Sequence, residues 1–383
     1  MRSICFIAAR YPNDLQPAKH VFLQRLVMEI ADMGIQCTVI APIPSHQARF
    51  FRSLPYHVVQ ITKQGNKVHV FFPRYFSLSE SVLLGIKLSH ITINGFFAAC
   101  ISVIKKECFT PDAFYGHFIC MAGICACRLG RALQKPAFIA YGESTEWSIK
   151  RFGMHETQRE LRSITGIISV SSHNKDVLIK YQVAPTKKIR VFPNGIDTNI
   201  FSPIDRCQAR KQFGLPEDCL IAAFVGQFIK RKGLPELLAA IKPFPKLRLI
   251  CAGAGPIQLD SPQVLYSAKV KPCDMPAFLS AADLFVLPTK NEGCCNAILE
   301  AMACGLPIVS SALPFNADIL NNDSAILVNP DNVHEISQAI GRLLEDSPLR
   351  NRLGSEGRKR ALHLSLEERA RNIIEWMQEL SEH

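Results

Sequence analysis

Residues 283–311 read DLFVLPTKNEGCCNAILEAMACGLPIVSS, and the fold is decided in this stretch. The apolar run Leu284 to Leu287 has the length of a strand and stops at Pro288. A polar loop carrying Glu292 and Gly293 follows, then a segment of helical character from Asn296 to Cys304 that holds Glu300. Gly305-Leu306-Pro307 ends this helix and leads into Ile308-Val309, a second strand. The first N–H groups of a helix lack partners within it and carry the positive end of its dipole, so the turn before Asn296 suits a phosphate. Glu292 and Glu300, eight residues apart, can accept hydrogen bonds from hydroxyls on either side of that phosphate. A sugar and a ribose joined by a diphosphate satisfy all three features. A buried βαβ edge with incidental acids is the plainer alternative, but such an edge has no need of glutamates flanking a helix start.

The alternation continues in both directions. Ile221 to Val225 and Leu247 to Cys251 read as strands, with Leu234 to Ala240 and Met275 to Ala281 as helices. In the first half, Ser3 to Ala8, Cys37 to Ala41, Val68 to Phe72, Ala113 to Tyr115, Ala137 to Ala140 and Gly166 to Val170 read as strands. Helical patterns lie between them, among them Val21 to Met33 and a helix to Tyr181 behind Ser171-Ser172. Strands separated by helices predict α/β architecture with doubly wound parallel sheets. A chain of 383 residues is too long for one ordinary core and suits two domains. The Asn194-Gly195 turn suits a hinge, giving a first domain of residues 1–192 and a second of 193–364. The tail, 365–383, carries an amphipathic helix from Leu366 to Leu380.

Composition narrows the class. Apolar residues make up 48% of the chain, as in a packed globular protein. The 14 cysteines sit mostly in apolar runs (Cys37, Cys100, Cys251), as small buried hydrophobes do in a reducing compartment. Cys120, Cys125 and Cys127 cluster without the spacing of a zinc or iron–sulfur site. Met1 to Ala9 reads as a first strand rather than a secretory signal. Val82 to Ile104 is apolar but broken by Lys87, His90 and Asn94, which predicts a core helix and not a span of roughly 20 apolar residues. Residues 1–190 hold 24 Lys and Arg against 11 Asp and Glu, net +13, whereas 191–383 hold 20 against 22, net −2. A basic first half can face an anionic lipid surface or an acidic acceptor, or it can simply be a solvated face. No nucleic-acid recognition motif appears, so no nucleic-acid partner is expected. Arg49-Phe50-Phe51-Arg52, with Leu54 and Tyr56, interleaves basic and aromatic residues; it suits the surface of an anionic membrane or a loop over an acceptor.

Five further segments can carry chemistry. Val225-Gly226-Gln227-Phe228-Ile229-Lys230-Arg231-Lys232-Gly233 follows a strand and opens a helix, concentrating positive charge where a diphosphate can sit. Cys251-Ala252-Gly253-Ala254-Gly255-Pro256 ends a strand and lacks the third glycine of a dinucleotide fingerprint, which disfavours an NAD-dependent oxidoreductase. Pro111 to Phe118 puts His117 just past a strand end, Tyr141-Gly142-Glu143-Ser144 follows another, and Tyr11 to His20 forms the first loop.

Together these segments resemble the retaining glycosyltransferases of family GT4, which have the two-domain GT-B fold. The family's donor signature, E-G-F-G-N-x-x-x-E-A-M-A-x-G-x-P, is matched by Glu292, Gly293, Asn296, Glu300, Ala301, Met302, Ala303, Gly305 and Pro307, with Cys294 and Cys295 replacing an aromatic residue and a glycine. Lys232 matches the lysine of G-R-x-x-x-x-K-G, while Gln227 stands where its arginine is usual. His117 matches the histidine of P-D-x-x-x-x-H; Tyr141 and Glu143 occupy the place of H-G-x-D; Pro17-Ala18-Lys19 stands where glycine is common in the first loop.

The resemblance implies two Rossmann-like domains facing across a cleft, with the last helix packing back on the first domain. It implies transfer of a sugar from a nucleoside diphosphate to a glycan or lipid-linked acceptor, with no metal and no cofactor. The donor would be held by Gly226, Gln227, Arg231, Lys232, Gly253, Cys295, Asn296, Ala297 and Glu300. Catalytic roles fall to Glu292, His117 and Lys232, and the acceptor side to His117, Tyr141, Glu143 and Lys19. The expected setting is bacterial surface-polysaccharide assembly in the cytoplasm, peripheral to the inner face of the cell membrane. A nucleotide-sugar epimerase or phosphorylase on the same fold, or an inactive glycan-binding homologue, is the competing reading.

Overall fold

The computed structural model describes residues 1–17, 19–47, 50–78, 82–83 and 86–382. Ala18 and Arg49, named above in two motifs, lie outside the described residues. The chain divides into two compact units, the first formed by residues 1–170, 174–192 and 370–383, the second by 171–173 and 193–369.

Within the first unit the strands are β1 (Ser3–Ala8), β2 (Gln36–Ile40), β3 (Ile43–Pro44), β4 (His57–Ile61), β5 (Lys67–Phe71), β6 (Arg74–Tyr75), β7 (Val82–Leu83), β8 (Ile86–Lys87), β9 (Ala113–His117), β10 (Ala137–Tyr141), β11 (Gly166–Ser169) and β12 (Ile189–Val191). Eight of them form one sheet in the order β12-β11-β10-β9-β1-β2-β5-β4. Every pairing in it is parallel except that of β4 with β5. The central strands are buried on both faces, so β1 and β10 read as unbroken apolar runs. The edge strand β4 alternates between exposed and half-buried residues, and an apolar-run reading of the sequence passes over it. The apolar stretch from Val82 holds the short pair β7–β8 and then the helix Leu88–Lys106. No described helix is long and apolar enough to cross a membrane.

The second unit has β13 (Ile221–Val225), β14 (Arg248–Ala252), β15 (Val264–Ala268), β16 (Leu284–Leu287), β17 (Ile308–Ser311) and β18 (Ala325–Val328). They form one parallel sheet in the order β15-β14-β13-β16-β17-β18. Its core gathers Phe224, Phe285, Val286, Ile298, Leu299 and Met302 from the strands and from the helix Asn296–Ala303. The quoted stretch at 283–311 therefore supplies β16, this helix and β17, one crossover unit at the heart of the sheet.

The last helix, Leu366–Ser381, changes units at 369/370, five residues beyond the boundary expected at 364/365. Hydrogen bonds explain the shift. Ile196 N–H donates to the Leu364 carbonyl, Leu366 N–H donates to the Ile196 carbonyl, and Arg369 Nε donates to the Pro193 carbonyl at 2.7 Å. Residues 365–369 are thus bonded to the segment 193–196 and belong with it. Beyond them Trp376 packs in the first unit, with ring centroids 5.5 Å from Phe192 and 6.4 Å from Phe138. Gly166 leaves room for that indole: a Cβ there would sit 2.8 Å from Trp376.

Candidate active site

In an open parallel sheet the loops at the carboxyl ends of the strands line a crevice where the strand order reverses. In the second unit the reversal falls between β13 and β16. The loops leaving these two strands are residues 226–233 and 288–295, the same segments singled out in the sequence. Backbone contact joins them. Lys290 N–H donates to the Arg231 carbonyl at 2.8 Å, and Gly233, with φ 71°, lies so close to Pro288 that a Cβ would meet its carbonyl oxygen at 2.0 Å. On the other side, Gly253 after β14 lies against Gly226, where a Cβ would come within 1.9 Å of the Gly226 oxygen. These glycines serve close backbone packing at the sheet edge.

Glu292 is the hub of the polar groups gathered there. Its Oε1 accepts from Lys232 Nζ at 2.5 Å, from Thr289 Oγ1 at 2.8 Å and from Arg231 Nη1 at 3.2 Å. The Lys232 and Glu292 side chains are each 12% exposed, so this pair is largely withdrawn from water. Arg231 also donates to the Asn291 carbonyl. Lys290 turns away to Glu236 at 2.8 Å and Asp331 at 2.5 Å, and so does not add to the cluster. Two cations, one carboxylate and a helix N-terminus leave the site net positive and matched to an anion.

The helix Asn296–Ala303 starts beside this cluster. Cys295 precedes it in extended conformation, and its thiol is pushed up to about 11 by burial and the nearby Glu292 charge, against the pull of Lys232 and the Ile298 and Ala297 N–H groups. Those influences bring Glu292, Lys232 and the first helical N–H groups into one neighbourhood. Burial likewise pushes Cys294 up to about 12, so both thiols stay protonated and act as small apolar linings. Asn296 and Ala297 are half-buried in the first turn, and Glu300 is half-buried in the next. Gln227 is exposed at the head of its loop.

Sequence reasoning passed over two groups. Asn194 was read as part of a turn; its side chain donates to the Asn296 side-chain oxygen at 2.8 Å and to the Cys294 carbonyl at 3.3 Å, fixing the helix entrance. Thr289 is buried and steadies Glu292. The Asn-Gly dipeptide gave a sign of the first, and nothing in the sequence pointed to the second.

In the first unit, His117 ends β9 and Tyr141 ends β10, with Glu143 two residues on, so all three lie at the carboxyl edge of that sheet. His117 is buried against the rings of Phe22, Phe118 and His20. Tyr141 is 1% exposed and packed with Ile139, Ile149 and Phe152, so its ring is part of the core. Burial raises its hydroxyl further above the ordinary tyrosine range. Glu143 accepts from the Ser148 N–H at 3.2 Å and from the Ser148 hydroxyl, holding the start of the helix Trp147–Phe152. Burial pushes its carboxyl up, opposed by those bonds. Lys19 is exposed in the loop after β1. Among the described residues, no three His, Cys, Asp or Glu side chains gather as a metal ion would require.

The chain as a whole is similar to known proteins. A model of the glycosyl transferases group 1 matches residues 205–360, and one of glycosyltransferase family 4 matches residues 20–200. The chain is 24% identical over 352 residues to the "Putative teichuronic acid biosynthesis glycosyltransferase TuaC" of Bacillus subtilis, covering 88% of each chain. It is 28% identical over 214 residues to a D-inositol 3-phosphate glycosyltransferase of Stackebrandtia nassauensis, covering 49% of this chain and 48% of that relative. Among solved structures, sucrose-phosphate synthase from Thermosynechococcus elongatus superposes with a TM-score of 0.79 at 19% identity, covering 99% of both chains. Anabaena HepE in complex with UDP-glucose gives 0.73 at 15% identity, covering 98% of this chain and 99% of that one. These two establish the GT-B fold.

Proposed function

The chain belongs to the group 1, family 4 glycosyltransferases and is a transferase enzyme; from that premise we propose that it moves a sugar, with retention, from a nucleoside diphosphate to a hydroxyl of a glycan or glycolipid. The observation that carries this reading is the Glu292 hub with Lys232, Arg231 and the helix start at Asn296.

In this reading the second unit holds the donor. Lys232, Arg231 and the N–H groups of the first helical turn take the diphosphate, Glu292 accepts from hydroxyls of the transferred sugar, and Glu300 accepts from the ribose. Gly226, Gln227 and Gly253 form the floor under the nucleotide. The first unit presents the acceptor through His117, with Glu143 and Lys19 at the same sheet edge. The bond from the anomeric carbon to the phosphate oxygen breaks with its electron pair going to the diphosphate. The acceptor oxygen bonds to the same face of that carbon, and its proton passes to the departing phosphate oxygen. Preorganised positive charge facing the departing group is the main source of rate here, and no metal is needed to supply it. The relative named for teichuronic acid synthesis, aligned over 88% of the chain, supports a place in surface-polysaccharide assembly.

Screening UDP-, GDP-, ADP- and CMP-sugars by thermal shift tests the donor, because a ligand of the folded form raises its melting point. One nucleotide class should stabilise the wild type and fail with Lys232→Ala. Transfer to an acceptor, with the new anomeric bond read by NMR, should show the donor's configuration. Epimerisation or phosphorolysis in place of transfer, or stabilisation by no nucleotide, overturns the reading.

A further inference from the structure

The outermost strand of the first unit's sheet, β4, has no neighbour on its far side among the described residues. Its pairing with β5 decides which backbone groups face that way. Thr62 N–H donates to the Asn66 carbonyl and Phe72 N–H to the Tyr56 carbonyl, so the ladder closes at residues 56 and 62. Bonded and non-bonded pairs alternate along an antiparallel ladder. Val58 and Gln60 therefore bond to Val70 and Val68, whereas His57, Val59 and Ile61 aim N–H and C=O outward. The strand is firmly held. On one face Gln60 accepts from Gln24 of the helix Val21–Asp32 at 3.2 Å. On the other, the His57 ring stacks on Phe71 with centroids 4.4 Å apart, and its Nε2 lies 3.1 Å from His69 Nδ1. Val59 and Ile61 share the His57 face and are 41% and 57% exposed.

The other outer strands of the two large sheets are protected. β12 has only three residues, one of them the exposed Arg190. The pairing of β15 with β14 breaks register at Leu249/Ile250, and β15 runs into Lys269. β18 is buried or half-buried throughout. Short length, charge and irregular pairing all keep an edge from joining a second sheet. From His57 to Ile61, β4 has no Lys, Arg, Asp, Glu or Pro, and its register with β5 is unbroken.

We propose that β4 pairs with β4 of a second copy of this chain, antiparallel about a two-fold axis at Val59, so that one sheet runs through both copies. In this register the strand is its own complement. Val59 exchanges both backbone bonds with Val59 of the copy, His57 does so with Ile61, and Ile61 with His57, which satisfies every outward group. On the exposed face Val59 meets Val59, and each Ile61 meets the copy's His57 ring. Charge favours this axis as well. Residues 1–190 carry net +13, yet none of that charge lies within β4, and the next cation, Lys63, falls opposite Pro55. A strand already fixed on both faces loses little freedom on docking. A strand pair alone makes a small interface, so the dimer is weak and dissociates on dilution.

Sedimentation velocity of the full chain over a dilution series tests this surface. The wild type should pass from dimer to monomer as it is diluted. Val59→Lys replaces an apolar pair at the axis by two like charges and should weaken dimerisation about tenfold. Val59→Pro removes an outward N–H that β5 does not use, so it should be monomeric at every concentration and melt near the wild-type temperature. Thiol linking reads the register. On treatment with glutathione disulfide, Val59→Cys should give a covalent dimer and Gln60→Cys should not, with the wild type setting the background from its own cysteines. A wild type that is monomeric at the highest concentration overturns the proposal. So does a dimer that Val59→Lys leaves intact, or linking through Gln60→Cys as readily as through Val59→Cys.

Discussion

Glu292→Gln should make the protein bind the sugar-free nucleoside diphosphate more tightly while lowering its affinity for the nucleotide-sugar relative to that diphosphate. The Glu292 carboxylate is paired with the two cations proposed for the diphosphate, Lys232 at 2.5 Å and Arg231 at 3.2 Å. A diphosphate must draw them from that partner. A hydrogen bond to a charged group contributes about 1.5–3 kcal/mol net. Arg231 is 32% exposed, and a glutamine still accepts from Lys232, so the lower end applies. Releasing about 1.5 kcal/mol corresponds to roughly tenfold tighter diphosphate binding. The nucleotide-sugar gains the same release but loses the carboxylate that receives its hydroxyls, so its affinity relative to the diphosphate should fall. Isothermal titration of both ligands into wild type and variant measures the two effects. An unchanged or weaker affinity for the diphosphate would refute competition by Glu292 for the cations. An equal gain for both ligands would refute its contact with the sugar.

Glu300→Ala should weaken nucleotide binding by about 1–3 kcal/mol through loss of a ribose acceptor, and wild-type affinity by calorimetry would count against that role. Gly253→Ala forces a Cβ to within 1.9 Å of the Gly226 oxygen, and should cost about 1–3 kcal/mol in chemical denaturation; a midpoint matching wild type would show that the loops can part freely. His20 should make the fold acid-sensitive. Its folded value of about 4 lies below the ordinary 6.5, so the unfolded chain takes up a proton first and stability declines as pH falls from about 6.5 towards 4. At pH 5 the loss from this group is about 2 kcal/mol, at about 1.36 kcal/mol per unit. His20→Asn tolerates the left-handed backbone at φ 54° and should shrink the difference between urea midpoints at pH 7 and pH 5; an equal difference would clear His20.

The second unit was more legible in the sequence than the first. β13, β16 and the helix Leu234–Ala240 fall on their expected residues because each is an apolar run bounded by glycine, proline or charge. Parallel strands buried on both faces write themselves plainly. β4 and β15 did not, since each lies at a sheet edge with one side in water and lacks a continuous apolar signal. The residues that gather on Glu292 were legible as neighbours because they come from two short loops. Tyr141 and Glu143 show where pattern falls short. Both stand at the expected strand end, but the orientation of the tyrosine ring and the partner of the carboxylate depend on Ile149 and Ser148, in a helix that the spacing did not disclose.

The bonding of residues 193–196 to 364–369 makes the two units unequal as fragments. A polypeptide cut to 193–369 begins and ends inside one set of hydrogen bonds, lacks only residues 171–173 of its unit, and is the piece to express alone for nucleotide titrations. Residues 1–192 cannot be excised so cleanly. Without the distal half of the final helix, Phe138 and Phe192 lose their cover and a trough opens where the Trp376 indole belongs, so the severed first half should aggregate unless the 370–383 peptide is supplied in trans.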